Sequence, residues 1–222
     1  MSTVMVVAPH PDDETLGCGG ALLRHKAEGD QVHWLIMTAM HESQGYAVAK
    51  IEARNQEITS VAEQYQFDGV HRLNYPTTGL DTCPRSELVA EVAKVVTTVQ
   101  PTIIYLPYRN DIHSDHKITF DVAAACTKPF RYPSIKSIRV YETLSETEQS
   151  LSPEGAAFQP NLFVDVSAYL EQKIDIMRLY KGEVGDAPFP RSCEVIEALA
   201  RYRGSVIGVA AAEAYMLLRE VI

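Results

Sequence analysis

Short apolar runs rich in β-branched residues alternate along the chain with longer stretches in which apolar residues recur every three or four positions. Thr3 to Ala8, Gln31 to Thr38, Gly69 to Leu73, Thr102 to Leu106 and Ile138 to Glu142 are of the first kind and predict five buried strands. The intervening stretches read as helices. Leu16 to Glu28 is stopped by Gly29, and Tyr46 to Tyr65 sets Ile51, Ile58, Val61, Ala62 and Tyr65 on one face. Ser86 caps a helix that runs to Val99 ahead of Pro101, and the polar loop Pro107 to His116 leads into a helix through Cys126. Strands alternating with helices imply right-handed βαβ crossovers and a parallel sheet covered on both faces, an α/β architecture.

The last third changes character. Phe158 to Val166 carries one short strand, Ser167 caps a helix to about Lys181, and Gly182 to Pro190, with two Gly and two Pro, reads as a structured loop. Two helical segments, Cys193 to Tyr202 and Val206 to Val221, close the sequence. No repeat or linker composition interrupts residues 1–222, so the expectation is a single domain. Its core spans about residues 1–145, with the C-terminal strand and helices over about 146–222.

Composition narrows the partners. The formal net charge of -9 opposes nucleic-acid binding, which needs a basic surface. The longest apolar candidate, Val206 to Leu218, is broken by Gly208 and Glu213 and falls short of the ~20 residues of a membrane span. Met1-Ser2-Thr3 lacks the basic start of a secretory signal. Cys18, Cys83, Cys126 and Cys193 form no C-x-x-C and read as reduced thiols. These features point to a cytoplasmic protein acting without a membrane or nucleic acid.

The chemistry gathers in two polar clusters. Pro9-His10-Pro11-Asp12-Asp13-Glu14 follows the first strand, and Asn110-Asp111-Ile112-His113-Ser114-Asp115-His116 follows the fourth. Ligands of open α/β sheets bind beyond the carboxyl ends of the strands, where strand order reverses. With the order 3-2-1-4-5, these two clusters face each other across one crevice. His10, Asp13 and His116 can supply the two histidines and one carboxylate of a catalytic metal site. Asp12, His113 and Asp115 are left over as acids and bases, which hydrolysis needs. Residue types alone do not decide which of Asp12 and Asp13 binds metal.

Ala8-Pro9-His10-Pro11-Asp12-Asp13-Glu14-Thr15, with Gly17-Cys18-Gly19-Gly20 after it, resembles the P-H-P-D-D-E motif of the PIG-L/LmbE-like zinc de-N-acetylases. His113-Ser114-Asp115-His116 is similar to that family's H-x-D-H motif, and the likeness extends to Phe158 to Asp165 and Ala212-Glu213-Ala214. The resemblance implies a Rossmann-like three-layer sandwich that removes an N-acetyl group from an amino sugar, sugar nucleotide or glycoconjugate. It implies Zn2+ held by His10, Asp13 and His116, with Asp12 as general base. It also implies that His113 stabilises or protonates the tetrahedral intermediate, with Asp115 orienting it. A homo-oligomeric state is a further expectation from the family. A metal-dependent esterase or phosphoesterase is the first competing reading, but a two-metal centre needs more bridging carboxylates. The second, an inactive sugar-binding scaffold, would have lost a ligand or base, and none is missing.

Secondary candidates surround this core. Arg54 falls where related deacetylases carry an arginine near the substrate; its plain alternative is an exposed helical arginine. Arg191 can hold a phosphate or carboxylate; its plain alternative is an unpaired surface arginine beside a helix capped by Ser192. His41-Glu42 and Glu142 sit at strand ends, while His25, His33 and His71 read as surface or core residues. Some relatives carry a tyrosine where this chain has Asp111, and an anion there cannot donate to an oxyanion. The glycine run lacks the spacing of a phosphate loop and reads as close packing of a helix against the metal loop.

Overall fold

The computed structural model describes residues 1–151 and 157–222. Among these, strands β1 (Thr3–Ala8), β2 (Gln31–Ala39), β3 (Gly69–Pro76), β4 (Ile103–Pro107) and β5 (Ser137–Tyr141) alternate with helices α1 (Asp13–Ala27), α2 (Val48–Tyr65), α3 (Arg85–Val99) and α4 (Ser114–Ala125). Then follow β6 (Leu162–Asp165), α5 (Leu170–Met177), α6 (Cys193–Ile207) and β7 (Ala212–Glu220). The sheet order is β3-β2-β1-β4-β5-β7-β6. β1 pairs in parallel with β2 (Val4 opposite Val32) and with β4 (Val4 opposite Ile103), so strand order reverses at β1, as expected.

Side chains alternate across a strand, and β1 shows why its sequence is apolar throughout. Val4, Val6 and Ala8 enter a core with Leu16 and Leu22 of α1, Ile58 and Val61 of α2, and Ile174 and Ile196 from the C-terminal third. Met5 and Val7 enter the opposite core with Leu88 and Val92 of α3 and Val122 of α4. Three layers result, and the C-terminal helices share the first core with the amino-terminal half. The expected stop at Gly29 is present, with φ +82° just beyond α1.

The sequence reading fails for Val206 to Val221. One helix, α6, passes through Tyr202 to Ile207 and ends at Gly208, whose φ of +76° is a left-handed stop; after a short connection Ala212–Glu220 is β7. Ala-Glu-Ala-Tyr-Met-Leu-Leu-Arg-Glu is a good helix sequence, but it fills the slot between β5 and β6, antiparallel to both, and this pairing overrides propensity. The serine caps predicted at Ser86 and Ser167 do not form. α3 starts at Arg85 after Pro84, with Ser86 inside its first turn. α5 starts at Leu170, while the Ser167 hydroxyl donates to Asp165 Oδ1.

The glycine run of α1 is a packing device, but not against the metal loop. A Cβ at Gly17 would lie 2.2 Å from the Tyr141 ring, at Gly19 2.9 Å from Lys173 Cγ, and at Gly20 2.6 Å from Val166 Cβ. The bared backbone admits a buried ion pair. Lys173 Nζ donates to Leu16 O at 2.8 Å and to Glu213 Oε1 at 2.6 Å. Glu213 in turn accepts the N–H groups of Gly20 and Ala21, each at 2.8 Å. Removing the cation strands a buried carboxylate, so Lys173→Met is expected to lower unfolding free energy by about 3–5 kcal/mol in urea titrations. Lys173→Met combined with Glu213→Gln is expected to recover most of that loss.

Candidate active site

β1 delivers the chain at Ala8 to Pro9-His10-Pro11, and α1 begins at Asp13. The residue between, Asp12, has φ 133° and ψ -30°, a region open to glycine and strained by ~1–3 kcal/mol for an L-residue. Several bonds hold it there. Its N–H donates to Glu14 Oε2 at 3.0 Å, and its carbonyl accepts the N–H groups of Thr15 and Leu16. Arg191 Nη1 donates to its Oδ2 at 2.8 Å, and Arg54 Nη1 donates to the preceding Pro11 carbonyl at 2.9 Å. Glu14 is fully buried and accepts the hydroxyls of Tyr180 (2.7 Å) and Thr15 (2.6 Å). Burial pushes its carboxyl up to about 7.

The two clusters meet as the topology requires. Asp13 Oδ2 lies 3.3 Å from His10 Nδ1 and 3.4 Å from His116 Nε2. His10, Asp13 and His116 thus present three donor atoms close enough to share one ion. The far nitrogen of each histidine is held by a carboxylate: His10 Nε2 by Asp115 Oδ2 at 3.1 Å, His116 Nδ1 by Asp111 Oδ2 at 2.8 Å. Carboxylate support of the second ring nitrogen orients a metal-ligating imidazole and raises its basicity, so this donor set fits a His/Asp metal centre. Asp115 is itself fixed by the N–H groups of Thr78 (2.7 Å) and Leu80 (3.1 Å), and Asp111 by the Thr147 hydroxyl (2.6 Å).

Neighbouring carboxyls at this junction are driven apart. Burial alone would raise Asp13, but His116 and His10 outweigh it and hold it well below the ordinary carboxylate range. Burial, then the charge of Asp13, raises Asp12 well above that range, with Arg191 opposing. His113 caps α4 with its ring, Nδ1 accepting the Asp115 N–H at 3.1 Å. Burial and then His10 push His113 down to about 4, so its ring is neutral and carries its proton on Nε2. Asp115 therefore touches His113 through its backbone, while its carboxylate serves His10, a different contact from the expected one.

His10, Asp12, Asp13, His113 and His116 line one cleft of about 420 Å³, together with Arg54 and Arg191. Arg54 is buried, so its plain reading as an exposed arginine fails. It shares the inward face of α2 with Ile58, Val61 and Tyr65, at helical spacing, and pairs with Glu183 and Glu57. Ser192 caps α6 through Val195 N–H at 3.2 Å, as expected. Arg191 beside it is not unpaired: it bonds Asp12, Glu183 (2.8 Å) and the Ser145 hydroxyl (2.9 Å).

His41 also lines the cleft, with Nε2 donating to the Asn74 carbonyl at 2.8 Å. Glu142 does not; Arg203 holds it in a two-bond pair at 2.8 and 2.6 Å. His25 bonds Asp30 and Tyr105, and His33 stacks on His71. Sequence reasoning missed Glu183, the carboxylate shared by both cleft arginines, because nothing marks it within a Gly/Pro loop. It also missed Asp111 as the partner of His116, although their spacing of five along one loop–helix junction carried a signal.

Comparison with known proteins gives this geometry its context. The chain is 24% identical to the diacetylchitobiose deacetylase of Thermococcus kodakarensis, across 92% of this chain and 79% of the relative. Its fold superposes with TM-score 0.78 on a conserved protein of Thermus thermophilus, 27% identical, covering 100% of this chain and 97% of the other. It superposes equally, at 22% identity, on the N,N'-diacetylchitobiose deacetylase of Pyrococcus horikoshii, covering 97% and 83%. Residues 5–127, which hold both motifs, match the PIG-L family, GlcNAc-PI de-N-acetylase. Motifs, fold and site agree, and the chain belongs to the PIG-L family of de-N-acetylases.

Proposed function

We propose that residues 1–222 form one catalytic domain that hydrolyses the N-acetyl group of an amino sugar, sugar nucleotide or glycoconjugate, using Zn2+ held by His10, Asp13 and His116. The observation that carries this reading is the convergence of those donors beside a differently tuned carboxylate, Asp12, in a single cleft. The metal would supply a Lewis acid that acidifies a water and polarises the acetyl carbonyl.

The chain's own groups do the rest. Asp12 accepts the proton of the attacking water, its carboxyl raised toward working pH as a general base requires. Its Oδ2 is held by Arg191, and its Oδ1 has no protein partner among the described residues. His113, neutral and with Nδ1 engaged, offers Nε2–H to the oxygen on which negative charge develops. A ring pushed down to about 4 is a poor proton carrier at neutral pH. The proton taken by Asp12 is therefore the one returned to the leaving amine. Asp111 and Asp115 position His116 and His10, while Arg54 and Arg191 frame the substrate and hold the Asp12 loop.

Asp12→Asn is expected to lower kcat on an N-acetylated sugar by ~10²–10⁴-fold while metal content stays at the wild-type level. Asp12→Asn with wild-type activity would overturn the mechanism. Asp111→Asn is expected to weaken zinc binding by ~10–100-fold, read by competition with a chromogenic chelator.

Protons compete with the metal. Burial lowers His10, but bonds from Asp115 and Asp13 outweigh it and raise the ring to about 9 in the metal-free protein. The native value lies above the ordinary 6.5, so this contribution to metal-free stability is complete below 6.5 and fades as pH rises through about 9. Zinc binding must expel that proton. Affinity is expected to rise from about pH 6 to pH 9, with proton release near pH 7 seen by calorimetry in buffers of different ionisation enthalpy.

A further inference from the structure

Among the carboxyls gathered at the site, Glu146 takes no part in the metal centre or in proton transfer. Asp111, Asp115 and Glu183 each have both oxygens engaged by protein donors. Glu146 does not. Its Oε1 lies 3.4 Å from the Ser145 hydroxyl and 3.6 Å from Arg191 Nη2, and its Oε2 has no partner among the described residues. Yet the residue lines the cleft and is only 9% exposed. A buried carboxyl oxygen without a donor is unfavourable, and here the missing donor can enter only from the cleft. Burial raises the proton affinity of Glu146; His116 opposes this and Asp13 adds to it, so the carboxyl stands within electrostatic reach of two metal ligands.

The backbone is bent to put it there. Ser145, the residue before it, has φ +75°, a left-handed conformation that is costly for a residue with a Cβ. Two contacts hold that conformation: the Ser145 N–H donates to Glu148 Oε1 at 2.6 Å, and its hydroxyl accepts Arg191 Nε–H at 2.9 Å. Glu146 itself is pinned through its main chain. Its N–H donates to the Thr143 carbonyl at 3.1 Å, and its carbonyl accepts the N–H of Ile112 at 3.2 Å. Ile112 directly precedes His113, and Arg191 is the arginine that holds Asp12. One strained turn thus ties the Glu146 carboxyl to both groups that flank the reacting carbonyl.

The structure assigns to Glu146 a specificity-determining contact: its carboxyl accepts the sugar hydroxyl beside the acetamido carbon, on C1 or C3 of the ring. This rests on the hydrolase reading. An acetamido pyranose carries its reacting group at C2, so these two hydroxyls are the substrate's donors nearest the acetyl carbonyl. A carboxyl can accept an O–H in either protonation state. A buried group built for such a bond rejects an analogue that lacks the hydroxyl, because the group is then left unpaired.

The test compares kcat/KM of the zinc-loaded enzyme for N-acetylglucosamine and for its 1-deoxy and 3-deoxy analogues. Wild type is expected to lose about 10–100-fold on at least one analogue. Glu146→Ala is expected to lose a similar factor on N-acetylglucosamine and to turn over the parent and that analogue alike, the non-additivity of a direct contact. Glu146→Gln keeps the shape of the side chain, so it tests the contact even where truncation prevents folding. It is expected to cut the discrimination by about 3–10-fold, as a neutral acceptor replaces a carboxyl. Zinc affinity stays at the wild-type level in both variants. Equal turnover of all three sugars by wild type, or wild-type discrimination in both variants, would overturn the assignment. So would a loss of zinc affinity that accounts for the loss of rate. No turnover of any sugar would overturn the hydrolase reading instead. Calorimetric titration of zinc-loaded wild type with the same three sugars then decides the contact, which fails if all three bind alike.

Discussion

The arrangement depends on one backbone conformation, that of Asp12. At φ 133° the chain reverses between β1 and α1, and two adjacent carboxylates leave in different directions. Asp13 goes to the histidines and is held ionised; Asp12 goes to Arg191 and is held with a raised proton affinity. An ordinary helix start would not separate them so sharply. The strain persists because the surroundings over-determine it. Glu14, Arg54 and Arg191 each bind a different atom of the Pro11–Asp12 segment, and they come from three separate parts of the chain.

This explains why so much buried charge surrounds a small site. Tyr180 fixes Glu14, Glu14 holds the Asp12 N–H, Asp12 meets Arg191, and Arg191 meets Glu183, which also engages Arg54. On the far side, Asp115 connects His10 to the backbone at Thr78 and Leu80. A buried polar network is stabilising only when its members are satisfied, and these members satisfy one another. Its rigidity serves the chemistry, since donors already in place need no reorganisation when charge develops.

Much of this was legible in the sequence. Five apolar β-branched runs marked the parallel strands, and the two polar clusters fell where strand order reverses. The buried state of Arg54 was legible too, since it lies four residues before Ile58 and seven before Val61 on one helical face. What was not legible depends on contacts between distant segments. The helix-forming sequence of β7 becomes a strand because a slot between β5 and β6 awaits it. Asp12 and Asp13 are identical residues, and their division of labour comes from Arg191 and His116, 179 and 103 positions from their respective partners. Glu183 bridges two arginines from a loop whose composition signals only a turn.

The place of β7 in the sheet has a kinetic consequence. It is the last strand along the chain, yet it sits inside the sheet, between β5 and β6. It carries Glu213, whose carboxylate grips the middle of α1, the helix that Asp13 begins. During synthesis from the amino end, the βαβ units can form early, but the slot beside β5 stays open until residues 212–220 emerge. Until then β5 has an unpaired edge and α1 lacks its anchor. Such an intermediate exposes strand-pairing groups, and α1, whose first residue is Asp13, acquires its final support only when the sheet is completed.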